Sequence, residues 1–460
     1  MTQKISYLLL LTFILMTSLS AEEYNSLPRD KVAELLDNII EHIETKYVDV
    51  EAGTKVIAGL RENLANGAYD DLHSEIEFAD VVTEDLRLLS NDLHLSVRLA
   101  NTPSNKAGQT GRRMVKKGAQ SDHFEGRKRP EGGFFRGEVL PGGVGLVEFT
   151  SVLPPFEVPG VREDLQRALK NVADESHIIF DARKCRGGVP ETVANISSNL
   201  YGMDNVLLNT YVNRNTGNHE LYTNSSEAVF DGSEKIFYVL TSSGTGSGAE
   251  AFAYLNQQHH RITVVGEQTA GAGRASVFYP INENLNVLIP ENESIHPVSK
   301  GNFEKVGVTP DVKVDHRLAL YTAHELALKE KRSKRPWSFA LRKALRNLQL
   351  AKEQIQLSLA KAAELTRKSP FAGLFEGDRK IWLDAKGDML YQRGRSVVFN
   401  LVPRGENLYE LGMPTDSHVR GKGRELPALS FEYGETKEVT AIAFLFSDGR
   451  RDGPFHKVES

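Results

Sequence analysis

Between Gly143 and about Val314 short apolar runs alternate with helical stretches, and that alternation narrows the possible folds more than any other feature. Gly145-Leu-Val-Glu-Phe149, His177-Ile-Ile-Phe-Asp181, Lys235-Ile-Phe-Tyr-Val-Leu240 and Ile262-Thr-Val-Val265 read as strands. Val161 to Val172 and Ala249 to His259 read as helices among them. Strands separated by helices predict an α/β core with a largely parallel sheet.

The flanks have different textures. From Leu27 to about Ala100, Val32, Leu35, Leu36, Ile39 and Ile40 fall at helical spacing, as do Leu86, Leu88, Leu89 and Leu93. Residues 22–100 therefore read as an N-terminal helical domain. Residues 101–142 read as a basic, Gly-rich loop or lid, with Arg112, Arg113, Lys116, Lys117, Arg127, Lys128 and Arg129. The core is placed at 143–316. Residues 317–369 read as a charged helical linker, ended by Pro370. From 370 to 460, short strand-like runs alternate with Gly/Asp turns, which predicts a small antiparallel β-barrel or sandwich.

Composition limits the function classes. Of 460 residues, 40% are hydrophobic and 25% charged, the balance of a globular chain. A net charge of −5 offers no general attraction to nucleic acid. The single cysteine, Cys185, excludes an intramolecular disulfide. With one cysteine, any zinc site would need His and carboxylate ligands. Lys4, the apolar run Leu8 to Met16 and the small residues Ser18, Ser20 and Ala21 form a signal-peptide pattern over 1–21. The apolar run is shorter than the roughly 20 residues of a membrane span. The mature protein is expected to be periplasmic or extracellular, without an integral membrane segment.

The most informative stretch is Tyr238-Val-Leu-Thr-Ser-Ser-Gly-Thr-Gly-Ser-Gly-Ala-Glu-Ala-Phe252, in which a strand enters a Gly/Ser loop and a helix follows. A helix N-terminus offers free backbone N–H groups and a positive dipole end. Three readings of it are open. Gly244, Gly246 and Ala249 match G-x-G-x-x-A, with Glu267 about 20 residues on, as in a dinucleotide-dependent oxidoreductase. Ser247 could instead be a nucleophile beside the N–H of Gly248. Ser247 could also simply cap the helix.

Four segments, in order, resemble the tail-specific (C-terminal processing) peptidases, with the tricorn core protease and the interphotoreceptor retinoid-binding proteins. Asn91-Asp92-Leu93-His94 resembles that family's "D-G-H", with Leu93 in place of glycine. Ile178-Ile-Phe-Asp-Ala-Arg-Lys-Cys-Arg-Gly-Gly188 resembles "IIDLR-x-N-x-GG". Thr241 to Glu250 and Val265-Gly-Glu-Gln-Thr-Ala-Gly271 resemble "LTS…T-x-S-A-x-E" and "VGE-x-T-x-G". Phe303-Glu-Lys-Val-Gly-Val-Thr-Pro-Asp-Val312 resembles "E-G-x-GV-x-PD". The resemblance covers about 30 to 315 and implies a crotonase-like ββα core.

The resemblance also implies a site. Ser247 matches the nucleophile. The lysine of the Ser-Lys members is replaced by Ala272, so the histidine-bearing branch is the better match, with His94 as base and Glu304 as its partner. The N–H groups of Gly187, Gly188 and Gly248 would form the oxyanion hole. The chemistry is coherent, because an imidazole of pKa about 6.5 can take the serine proton and return it to the leaving amine. The implied activity is serine endopeptidase action on polypeptides through an acyl-enzyme, with no metal or organic cofactor expected. An inactive relative that binds peptides or an apolar ligand is the alternative. No PDZ-like segment lies between His94 and Gly143. Glu250 reads as a helix-dipole partner, and Cys185 as a loop residue beside the site. The segment from Phe371 resembles the small lipocalin-like appendix of some secreted serine hydrolases.

Overall fold

A computed structural model describes residues 26–100, 133–150, 152–202, 204–393, 398–405, 407–414, 428–434, 436, 438–445 and 451–458. The signal-peptide pattern and the basic stretch 101–132 lie outside the described residues. The chain divides into two compact units. One takes in Met1–His123, Tyr211–His219 and Arg274–Glu293, and the other Phe124–Thr210, Glu220–Gly273 and Ser294–Ser460.

The first unit starts with three helices, α1 (Arg29–Lys46), α2 (Val50–Ala65) and α3 (Glu75–Ser90). In α1 the residues Val32, Leu35, Leu36, Ile39, Ile40 and Ile43 are all buried, the helical stripe visible in the sequence. Asp49 caps α2 by accepting the Ala52 N–H, and Ser74 caps α3 by accepting that of Glu77. Strand β1 (Ser96–Leu99) pairs antiparallel with the first half of β10 (Leu285–Ile295), which also pairs with β9 (Ala275–Pro280). Leu285, Val287 and Ile289 of β10 join the helices in one core with Tyr47, Phe78 and Leu86.

The second unit carries the α/β core. Its strands are β2 (Phe135–Leu140), β3 (Val144–Phe149), β4 (His177–Asp181), β7 (Ile236–Thr241), β8 (Thr263–Gly266) and β11 (Val312–Lys313), in the order β11-β8-β7-β4-β3-β2. Every neighbouring pair is parallel except β2 with β3. The inner strands β3, β4, β7 and β8 are buried on both faces, so their residues alternate between two cores. Ile178 and Phe180 face one with Phe237 and Val239, and Ile179 faces the other with Tyr238 and Leu240. The first face is covered by α4 (Val161–Lys170), α5 (Pro190–Ser197) and α6 (Gly248–Gln258). Between β4 and β7 lies the pair β5 (Leu207–Asn213) and β6 (Gly217–Tyr222).

Two readings need correction here. The stretch read as loop or lid to residue 142 contains β2, an edge strand in which only Phe135 is buried, so no alternation marks it in the sequence. The stretch read as a helical linker, 317–369, comprises α7 (His316–Lys334) and α8 (Phe339–Lys368), and α7 does more than link. Helix α7 is part of the core: Ala319, Ala323 and Ala327 recur at every fourth position and let it lie close on the second sheet face. Eight further strands, β12 to β19 from Gly373–Phe375 to Arg451–Val458, pair in sequence order and close through β12 with β19. The C-terminal domain is thus a barrel. Its interior is filled by Phe375, Ile381, Tyr391, Leu401, Phe431, Phe444 and their neighbours. Among the described residues no helix is long and apolar enough to cross a membrane.

Candidate active site

Ser247 stands at the head of α6, joined to the C-terminal end of β7 at Thr241 by the loop 242–246. The helix is anchored from below by Phe252, whose ring meets Phe149 at 5.4 Å and Phe180 at 5.1 Å, edge to face. Ser247 itself is half-buried and has φ 49° and ψ −120°, a conformation rare for a residue with a side chain. Its backbone N–H donates to the Glu250 carboxylate at 2.7 Å.

The Gly187–Gly188 loop runs beside it. Gly246 N–H donates to the Cys185 carbonyl, and an added Cβ on Gly187 would lie 2.8 Å from Cβ of Ser247. A Cβ on Gly188 would lie 2.1 Å from the Leu153 carbonyl oxygen. Both glycines have left-handed φ, 133° and 148°, so conformation and space alike require glycine here. The ideal Cβ position of Gly248 is 2.9 Å from the Gly188 nitrogen. Thus Ser247, Gly187, Gly188 and Gly248 are brought together in one unit.

Glu250 is the organiser of this region. It is fully buried, and its four donors are the N–H groups of Ser247, Gly271 (2.6 Å) and Ala272 (2.9 Å) and the hydroxyl of Thr269. Burial pushes its pKa up, and these hydrogen bonds oppose that shift. Glu304, also buried, accepts the next amide in line, Gly273 N–H, at 2.7 Å. Two carboxylates therefore fix three consecutive backbone amides, 271 to 273. Sequence reasoning treated Glu250 as a dipole partner only. The signal was present, because Thr269, Gly271 and Glu250 are the fixed letters of the quoted motifs.

His94 belongs to the first unit. It follows α3, which ends at Asn91 in left-handed conformation (φ 51°). The buried Asp92 then accepts the His94 N–H at 2.9 Å. Desolvation pushes the half-buried His94 imidazole down to about 4, against the pull of Asp92. At neutral pH it is uncharged, the state a general base needs. Asp92, Arg274, Tyr47 and Asp49 form a cluster that sequence reasoning missed, because Arg274 lies 182 to 227 positions from these partners.

Cys185 is fully buried, and burial pushes its thiol up to about 12. That thiol is no nucleophile. The dinucleotide reading loses its basis in the topology. The strand order is monotonic from β2 to β11, so no reversal creates the switch-point crevice that binds dinucleotides. Glu267 accepts Ser243 N–H and faces His316. Glu267, Asp315 and His316 could meet around a cation, but Asp315 is paired with Arg317.

Residues 143–314 match peptidase family S41, and residues 26–126 match the N-terminal domain of that family's peptidase in eukaryotic IRBP. A carboxy-terminal-processing protease of Bartonella bacilliformis is 31% identical over 98 residues, which are 21% of this chain and 22% of that protein. A carboxyl-terminal-processing protease of Synechocystis sp. is 29% identical over 147 residues, 30% of this chain and 31% of that protein. The chain thus spans less than a third of the length of these curated relatives. The photosystem II D1 C-terminal processing protease superposes with a TM-score of 0.40 at 14% identity, over 62% of this chain and 93% of that one. The matched segments together take in the N-terminal helices and the whole parallel sheet, and the chain belongs to the tail-specific (C-terminal processing) peptidase superfamily.

Proposed function

We propose that the protein is an exported serine peptidase that cleaves polypeptides through an acyl-enzyme. The observation that carries this reading is the setting of Ser247. A hydroxyl-bearing residue is held in a rare backbone conformation at a helix N-terminus, against a glycine pair that tolerates no side chain. Strain of this kind is costly and persists where the surroundings enforce it. In this reading Ser247 attacks the scissile carbonyl. His94 accepts its proton and returns it to the leaving amine, and Glu304 orients the base. The N–H groups of Gly187, Gly188 and Gly248 receive the oxyanion. The branch with histidine rather than lysine is favoured by Ala272, whose small side chain offers no base. Export is supported by the pattern of Lys4, the apolar run to Met16 and Ala21.

The test uses the mature chain from Glu22 and its Ser247→Ala variant, incubated with unfolded casein and a peptide library while new amino termini are followed. Cleavage by the first and not by the second, with both folded, is the expected result. Equal inactivity of both across the library overturns the reading and favours a relative that binds peptide or apolar ligand without cutting.

A further inference from the structure

We propose that Arg274 is a positioning residue for His94, acting through Asp92; the proposal rests on the reading of His94 as general base. Arg274 is buried, and each nitrogen of its guanidinium donates a hydrogen bond. Nε donates to Glu293 at 2.9 Å, and Nη2 donates to Asp49 at 3.0 Å. Nη1 donates to Asp92 Oδ2 and to the Tyr47 hydroxyl, both at 3.0 Å. Tyr47 in turn donates to the same Asp92 oxygen at 3.1 Å, and the guanidinium lies over its ring at 5.6 Å. Asp49 is also the cap of α2, so the cation is tied to a helix start, a helix end and β10.

Asp92 has no exposed surface, and its two oxygens do different work. Oδ2 is held by Arg274 and Tyr47, while Oδ1 holds the backbone N–H of His94. Its own N–H donates to Ser90 Oγ at 3.1 Å. The turn that presents His94 is therefore hung from one carboxylate, and Arg274 is the charge that holds that carboxylate in place. A buried carboxylate deprived of its counterion is left uncompensated and turns toward water or another donor. That movement releases the His94 amide. A misplacement of about 1 Å in a catalytic group costs on the order of 100-fold in rate. A lysine cannot replace the arginine, because one ammonium cannot meet three carboxylates approaching a planar fork from different sides.

The experiment compares the mature wild type with Arg274→Met, Arg274→Lys, His94→Ala and the double variant His94→Ala/Arg274→Met on one quenched peptide that wild type cuts. In Arg274→Met, kcat is expected to fall about 10- to 100-fold with KM within about twofold. Arg274→Lys should lie between. The double variant should be no slower than His94→Ala, because Arg274 acts only through His94. A double variant slower than both singles overturns the proposal, as does an unchanged kcat in Arg274→Met. Activity retained in His94→Ala overturns the underlying reading instead. A readout that needs no turnover is the NMR titration of the His94 imidazole. Asp92 raises its midpoint, while Arg98, Arg87 and Arg274 lower it. Loss of Arg274 and displacement of Asp92 act on that midpoint in opposite directions, so hydrogen exchange of the His94 amide is read beside it; it should speed up in Arg274→Met, and unchanged exchange contradicts the coupling. If Arg274→Met does not fold, Arg274→Lys decides on the same criteria.

Discussion

Replacing Glu250 by glutamine changes one atom at the centre of the site, and its cost can be worked from the structure. The wild-type carboxylate accepts four hydrogen bonds and has no surface in contact with water. A glutamine offers one acceptor oxygen and one NH2. With the NH2 in place of Oε2, the N–H groups of Ser247 and Ala272 lose their acceptor. With the NH2 in place of Oε1, the N–H of Gly271 loses its acceptor and the Thr269 hydroxyl must turn. The cheaper arrangement leaves one buried donor unmatched, at about 1–3 kcal/mol. It also converts the remaining charge-assisted bonds to neutral ones, which are roughly half as strong. The neutral amide is easier to bury than the carboxylate, which offsets part of this. The net loss is about 2–4 kcal/mol. For a core that unfolds as a unit of roughly 200 residues, about 3 kcal/mol lowers Tm by about 6–12 °C. Calorimetry measures the shift, and hydrogen exchange should rise at Ser247, Gly271 and Ala272. The exposed Glu51→Gln, which removes a surface pair with Lys55 and a first-turn acid of α2, serves as control and should shift Tm far less. A Glu250→Gln protein with Tm within about 2 °C of wild type and unchanged exchange would refute this account of how Ser247 is held.

Three other outcomes are expected. Gly188→Ala should destabilise by about 3 kcal/mol or more, since its Cβ would collide with Leu153, whereas Gly405→Ala, with open space around it, should be neutral; thermal unfolding separates them. Cys185 should resist thiol reagents in the native protein and react only on unfolding, as titration with a chromogenic disulfide would reveal. The acid limb of kcat/KM should lie near pH 4 rather than near 6.5, because burial depresses the His94 pKa. The same shift makes the unfolded chain bind more protons between those values, so stability should decline as pH falls from about 6.5 toward 4.

The sheet was legible in the sequence because its strands are buried on both faces and appear as unbroken apolar runs, as in Ile178-Ile-Phe180. Strand β10 was not legible, because Pro290 and a register shift before Asn292 interrupt any alternation. Helix α7 passed for a linker because charged residues fill its outer face and its buried stripe is alanine rather than leucine. At the site, Ser247 and the glycine pair stand in short contiguous motifs, which sequence displays well. The Arg274 cluster is assembled from residues near 47, 92, 274 and 293, and no local pattern announces such a meeting.

Covalent labelling of Ser247 tests the central claim most directly. The mature protein would be treated with a fluorophosphonate and the modified peptide located by mass spectrometry. The account predicts one adduct, on Ser247, absent from Ser247→Ala and slowed in His94→Ala. A folded protein that takes no adduct, or takes it on another residue, would contradict the assignment of Ser247 as nucleophile.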